Sequence, residues 1–192
     1  MAGVPPIPHG GQYYRSITLA YADSPLSGFG STVRGGRYNR KGTFEAYYLS
    51  ASPRTALFEV EALVSGYRGR TPASLPGRAM ITVIVELSRV LDLTNRDVRA
   101  LLGITREDIL GPWLLEQNAG RFPMTQRIGR AAHDLFFEAI LAPSDAHRGG
   151  VNLVVSYPTL MQTSSLTVIS GIHHPGGIGV DVIRGRLAAS PR

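Results

Sequence analysis

The sequence predicts an α+β fold, a compact single domain of short, mainly antiparallel strands flanked by helices, and three observations predict it. Apolar residues make up 43% of the 192 positions, enough to bury a core without staples and too many for a mainly disordered chain. The 22 glycines, about 11% against a usual share of about 7%, and the 13 prolines break the chain often and keep elements short. Strand-like and helix-like segments follow one another without regular alternation, which disfavours a doubly wound parallel sheet. No repeat divides the chain, so residues 1–192 read as one domain.

Each element has a local reason. Tyr13–Leu19 (YYRSITL) is aromatic and β-branched and predicts the first strand, followed by a long polar Gly/Ser loop from Ser24 to Gly36. Ala46–Ser50 predicts a second strand. Ser52 then offers a capping hydroxyl ahead of Pro53, whose missing N–H costs nothing in a first turn, and Leu57, Val60, Leu63 and Val64 recur at helical spacing to about Ser65. Ala79–Leu87 is β-branched and partly alternating, and Val90–Leu93 extends or follows it. Thr94 predicts the cap of a short helix to Leu102 with Gly103 ending it, and Thr105 the cap of another through Trp113. A further helical stretch starts at Met124 or Thr125 and ends near Phe136. Glu138–Ala142, Val151–Tyr157 and Ser165–Ile169 predict the last strands, and the Gly-rich tail from Gly171 reads as loop with one edge strand at VDVI.

The 20 basic residues against 14 acids leave a net charge of +6, which favours an anionic ligand or partner. The charge is clustered. Arg34, Arg37, Arg40 and Lys41 lie in the acid-free stretch between Asp23 and Glu45, and Arg121, Arg127 and Arg130 in another from Arg121 to His133. The two zones can converge on one anion, or each can be solvated surface. The absence of cysteine removes disulfides, thiolate zinc sites and thiol catalysis. No apolar run reaches the roughly 18 residues of a membrane span, and the opening MAGVPPIPHGGQ has no secretion-signal pattern, so the expected location is the cytoplasm with no membrane partner. His9, His133, His147, His173 and His174 show no metal-ligand spacing, and no GxSxG, GxxxxGK[ST] or dinucleotide fingerprint occurs.

What remains is a constellation near the front of the chain: Tyr14 and Arg15 on a strand, Arg34-Gly35-Gly36-Arg37-Tyr38-Asn39 on a loop, Tyr48 on the next strand and Glu59 on the helix. Glycines at 35 and 36 let the backbone approach a ligand, flanking guanidinium groups suit phosphate oxygens, and tyrosines offer flat faces to a heteroaromatic ring. At about 100° per residue, Glu59 lies at the edge of the apolar face, where it reads either as a cleft carboxylate or as an ordinary polar helix residue.

The run RGGRYNRKGTFEAYYLSASPRTALFEV resembles the signature of the RES domain family, and so do PMTQRIGRAA, LAPSDAHRGGVNLVV and DLTNRDVRALLGITREDILGPW in order along residues 13–157. The resemblance implies a fold related to the ADP-ribosyltransferase toxins and an activity that breaks the nicotinamide glycosidic bond of NAD, used as substrate with no metal or cofactor. The acceptor is water, inorganic phosphate as co-substrate, or a macromolecule. It implies catalytic roles for Glu59, Arg15 and Tyr48, and NAD contacts from Arg34, Arg37, Tyr38, Asn39, Thr125, Gln126 and Ser144, with Ser144 and Thr125 competing as the functional hydroxyl. Tyr38 stands where tryptophan is usual and Asp145 where alanine is usual. Toxin action blocked by an Xre-type antitoxin is implied too, with nucleic acid met only through that complex; a basic nucleic-acid-binding module is the non-enzymatic alternative. Residues 171–192 lie outside the matching motifs.

Overall fold

The structure is a computed structural model that describes residues 3–65, 75–173 and 185–186. Among the described residues seven strands form one sheet: β1 (Ile7–Thr18), β2 (Ala46–Ser50), β3 (Arg78–Asp92), β4 (Ala139–Pro143), β5 (Val151–Ser156), β6 (Ser165–His173) and β7 (Gly185–Arg186). Its order is β1-β2-β5-β4-β3-β6-β7, and β1 also pairs with β3, which closes β1-β2-β5-β4-β3 into a ring. A strand has two edges. On β3, residues 78–90 face β1 along one, while β6 takes residues 79–86 and β4 residues 90–92 along the other. Among the described residues only the β3–β4 pairing is parallel.

Strand alternation divides the packing in two. Tyr13, Ile17, Tyr47, Leu49, Val83, Val85, Leu153 and Val155 belong to one buried cluster inside the ring. The opposite faces of β2, β4 and β5, with Ala46, Ile140 and Val154, pack on Ile109, Ile128 and Ala132 from helices. The helices of the described residues are α1 (Phe29–Arg34), α2 (Pro53–Ser65), α3 (Arg96–Leu102), α4 (Arg106–Leu110), α5 (Trp113–Asn118) and α6 (Met124–Asp134), with Ile109 on α4 and Ile128 and Ala132 on α6. No helix among the described residues is long and apolar enough to cross a membrane.

The mixed α/β architecture and the mainly antiparallel pairing follow the sequence expectation; strand length does not. β1 starts at Ile7, ahead of the expected Tyr13, because Gly10 and Gly11 pair with Glu86 and Val85 and the ladder runs through them. β3 is one strand of 15 residues rather than two segments. The expected loop from Ser24 to Gly36 contains α1, whose Phe29 and Val33 are exposed, so no apolar stripe announces it. On α2, Leu57 and Leu63 are exposed while Thr55, Ala56 and Val64 are buried: small side chains let the helix lie close to β1 and β2. Asn95, not Thr94, caps α3, because Thr94 turns back to Asp92. Thr105 and Asp108 form a reciprocal capping box on α4, which stops at Leu110 before Gly111 and Pro112 instead of reaching Trp113. β6 runs past Ile169 to His173, and Gly185–Arg186 pairs with it; the expected strand VDVI lies outside the described residues.

Candidate active site

The centre is a carboxylate held between α2, β5 and the loop after β4. Ser52 caps α2 by accepting the Thr55 N–H at 3.1 Å, and Glu59 is the seventh residue of that helix. Its Oε1 accepts from Ser144 Oγ at 2.6 Å and from Asn152 Nδ2 at 2.5 Å. Ser50 Oγ donates to Asn152 Oδ1 at 2.8 Å, so the amide oxygen faces the hydroxyl and the amide nitrogen faces the carboxylate. Ser144 Oγ in turn accepts the His147 N–H at 3.0 Å, which leaves its own proton for Glu59. The 144–150 loop is closed by Ser144 N–H on the Gly150 carbonyl at 2.8 Å. His147 ties it to α2: its ring stacks on Phe58 with centroids 5.0 Å apart, and Nδ1 lies 2.9 Å from Thr55 Oγ1. Among the described residues no donor engages Glu59 Oε2.

A second network holds the Gly35–Asn39 turn. Tyr48 Oη donates to Asn39 Oδ1 at 2.8 Å and accepts the Tyr38 N–H at 2.9 Å. Asn39 is fully buried and spends its amide protons on the carbonyls of Ser31 and Phe44. Burial raises the pKa of the Tyr38 and Tyr48 hydroxyls, which stay protonated. Gln126 Nε2 donates to the Gly36 carbonyl at 2.9 Å and to Gln117 Oε1 at 2.7 Å. The glycines expected to admit a ligand admit the protein itself. A Cβ on Gly36 would sit 2.3 Å from Tyr48 Oη, and one on Gly129 of α6 would sit 1.7 Å from the Tyr38 carbonyl oxygen.

Arg37 joins the two networks. Its Nη1 donates to the carbonyls of Ile109 and Gly111 at 2.9 and 3.0 Å, and its Nη2 pairs with Asp145 Oδ2 at 2.8 Å, next in sequence to Ser144. Arg15 lies elsewhere. Directly paired Tyr14 and Ser50 share one sheet face, so Arg15 points to the other, between Tyr13 and Ile17 and toward the Tyr47 ring at 5.9 Å. It donates to the carbonyls of Pro25 and Ser27 at 3.2 and 2.9 Å, and burial pushes its pKa down to about 10, still charged at neutral pH. Thr125 is buried with no hydrogen-bond partner for its hydroxyl among the described residues, and the Arg34 side chain is exposed. The two basic zones do meet: Arg40 and Arg127 both lie over the Phe122 ring, at 5.4 and 5.8 Å.

Sequence reasoning put Glu59, Tyr48, Asn39 and Arg37 in one constellation with Tyr14, Arg15 and Arg34, and the resemblance added Ser144. The structure gathers Glu59, Ser144, Tyr48, Asn39 and Arg37 around the outer face of β2 and leaves Arg15 on the inner face. Sequence reasoning missed Asn152, Ser50 and His147. The available signal was an amide inside the otherwise apolar strand VNLVV, a position where asparagine is depleted.

Comparison with known proteins follows this geometry. The RES domain family model matches residues 12–169. Proteins named NAD(+) phosphorylase MbcT from Mycobacterium tuberculosis (strain ATCC 25618 / H37Rv) and Mycobacterium bovis (strain ATCC BAA-935 / AF2122/97) are each 34% identical over 146 residues, 72% of this chain and 69% of theirs. A chain from the crystal structure of the M. tuberculosis MbcT-MbcA toxin-antitoxin complex superposes with a TM-score of 0.73 at 27% identity, over 88% of this chain and 87% of that one. The family match runs from within β1 to within β6 and takes in Arg15, the Gly35–Asn39 turn and the whole Glu59 network, and on that extent the chain belongs to the RES domain family.

Proposed function

We propose that the chain is an NAD-consuming enzyme that breaks the bond between the nicotinamide ring nitrogen and its ribose and passes the ADP-ribosyl group to inorganic phosphate or water. The observation that carries this reading is Glu59, with one carboxylate oxygen fixed by two neutral donors and the other without a donor among the described residues. When the glycosidic bond breaks, its electron pair leaves with neutral nicotinamide and positive charge develops on the ribose. A pre-oriented carboxylate that binds ribose hydroxyls and faces this charge stabilises that transition state most. Phosphate oxygen then bonds to the ribose carbon to give ADP-ribose 1″-phosphate; water gives ADP-ribose and a proton. The name of the mycobacterial relatives supports phosphate as acceptor.

In this reading Ser144 and Asn152 orient Glu59, Arg37 presents Nη2 to the diphosphate, and the Tyr48 ring forms a wall of the cleft while its hydroxyl holds the 36–39 turn. Tyr38, Asn39 and Gln126 keep that turn in shape. Arg34 offers an exposed cation at the rim, and Thr125, buried at the start of α6, acts from behind the turn rather than on the substrate. Arg15 acts from the barrel side by fixing the 25–27 segment. The kinship of the barrel-like sheet with the ADP-ribosyltransferase toxins, the cytoplasmic location and action as a toxin belong to the same proposal. So does an antitoxin partner of the Xre type, supported by the toxin-antitoxin complex of the structural relative.

Purified protein incubated with NAD should release nicotinamide, faster with phosphate, with the product identified by mass. Glu59→Gln should lower the rate by about a hundred- to a thousandfold or more without loss of fold. Absence of release by folded wild-type protein, with and without phosphate, overturns the reading.

A further inference from the structure

We infer that Asp145 sets the affinity for anions by occupying, on Arg37, the place of a phosphate group of the substrate. The inference rests on the proposed NAD reading and deepens it. Arg37 is anchored without Asp145: Nη1 donates to the Ile109 and Gly111 carbonyls at the end of α4, two fixed acceptors that hold the guanidinium in place. What Asp145 engages is the remaining edge, Nη2, at 2.8 Å. The Arg37 side chain is 16% exposed and that of Asp145 46%, so the arginine is built into the wall while the carboxylate stands in solvent and can leave at little cost. Asp145 directly follows Ser144, whose hydroxyl holds Glu59, so the displaced edge of Arg37 borders the proposed reaction centre. A carboxylate and a phosphate offer a guanidinium the same pair of acceptor oxygens. Asp145 therefore competes with any phosphate that binds there and repels it once displaced. The shared chemistry is a phosphate oxygen on Arg37, supplied either by the diphosphate of NAD or by the inorganic phosphate acceptor.

The test compares wild type with Asp145→Asn, Asp145→Glu and the remote Asp97→Asn on α3, which also removes one negative charge. Nicotinamide release is measured with NAD varied at fixed phosphate and with phosphate varied at fixed NAD. Asp145→Asn should lower one KM by about three- to tenfold with kcat within about twofold, an effect that 0.5 M salt reduces. A fall in the KM for NAD assigns the diphosphate to Arg37, and a fall in the KM for phosphate assigns the acceptor. Asp145→Glu and Asp97→Asn should stay near wild type. If both KM values are unchanged or rise in Asp145→Asn, the carboxylate supports Arg37 and the inference fails. Binding of inorganic pyrophosphate, followed by calorimetry, separates the two claims. If wild type shows no activity, the NAD reading falls, while tighter pyrophosphate binding by Asp145→Asn still upholds the competition and equal or weaker binding ends it.

Discussion

Along β2, Tyr47 and Leu49 point into the ring of strands, whereas Tyr48 and Ser50 point outward toward the helices. The inner pair meets an apolar core in which the Arg15 guanidinium is engaged by the Pro25 and Ser27 carbonyls. The outer pair meets hydrogen-bonding side chains at each step: Tyr48 reaches Asn39, and Ser50 reaches Glu59 through Asn152. These four consecutive residues thus serve stability on one face and the candidate site on the other, and a substitution on either face should register in a different measurement.

After loss of Glu59 itself, the sharpest test of the outer face is Asn152→Leu, which keeps the volume and removes the donor. We expect kcat for nicotinamide release to fall about ten- to a hundredfold, as for a lost transition-state hydrogen bond, with KM and unfolding midpoint close to wild type. A raised KM at constant kcat would make Asn152 a substrate ligand instead. On the inner face, Arg15→Met leaves two half-buried carbonyls short of a donor and should cost about 1–3 kcal/mol of stability, read by urea unfolding. Unchanged stability with a raised KM for NAD would break the division between faces and move Arg15 into the substrate site.

The smallest effect tests both faces together through pH. Burial raises the pKa of Tyr13 to about 12 and raises those of Tyr38, Tyr47 and Tyr48 as well. The native state then holds these protons above the ordinary tyrosine value near 10, where the unfolded chain has lost them, so their stability contribution is present below that pH and declines above it. Arg15 and Arg78, both lowered by burial, oppose this over the same range. Four groups against two give a net fall in stability above about pH 10. Tyr48→Phe should flatten that fall while costing about 1–3 kcal/mol at neutral pH for its two hydrogen bonds.

Local chemistry made part of this legible in advance. Ala46–Ser50 and Pro53–Ser65, with Ser52 as cap, appear at their expected limits because strand propensity and capping act within a few residues. α1 escaped for the opposite reason: six residues with Phe29 and Val33 in solvent leave no period to detect. At the site, Glu59 and Ser144 came from a resemblance of motifs, since spacing left Glu59 ambiguous. Asn152 stayed hidden because its partner lies 93 positions away and only strand pairing brings them together. Which way Arg15 points depends on the register of Tyr14 against Ser50, a tertiary fact that no local pattern carries.

The Glu59 network also has an order of assembly. Ser50 and Glu59 emerge early in synthesis, but the donors that hold the carboxylate come from residues 144 and 152, and β5 is the strand that seats Asn152 between β2 and β4. A ribosome-bound chain that ends before Ser144 has the helix and the carboxylate yet neither of the two donors that aim it. On the proposed reading, the Glu59 carboxylate gains its full set of donors only when β5 has been made and has paired with β2 and β4.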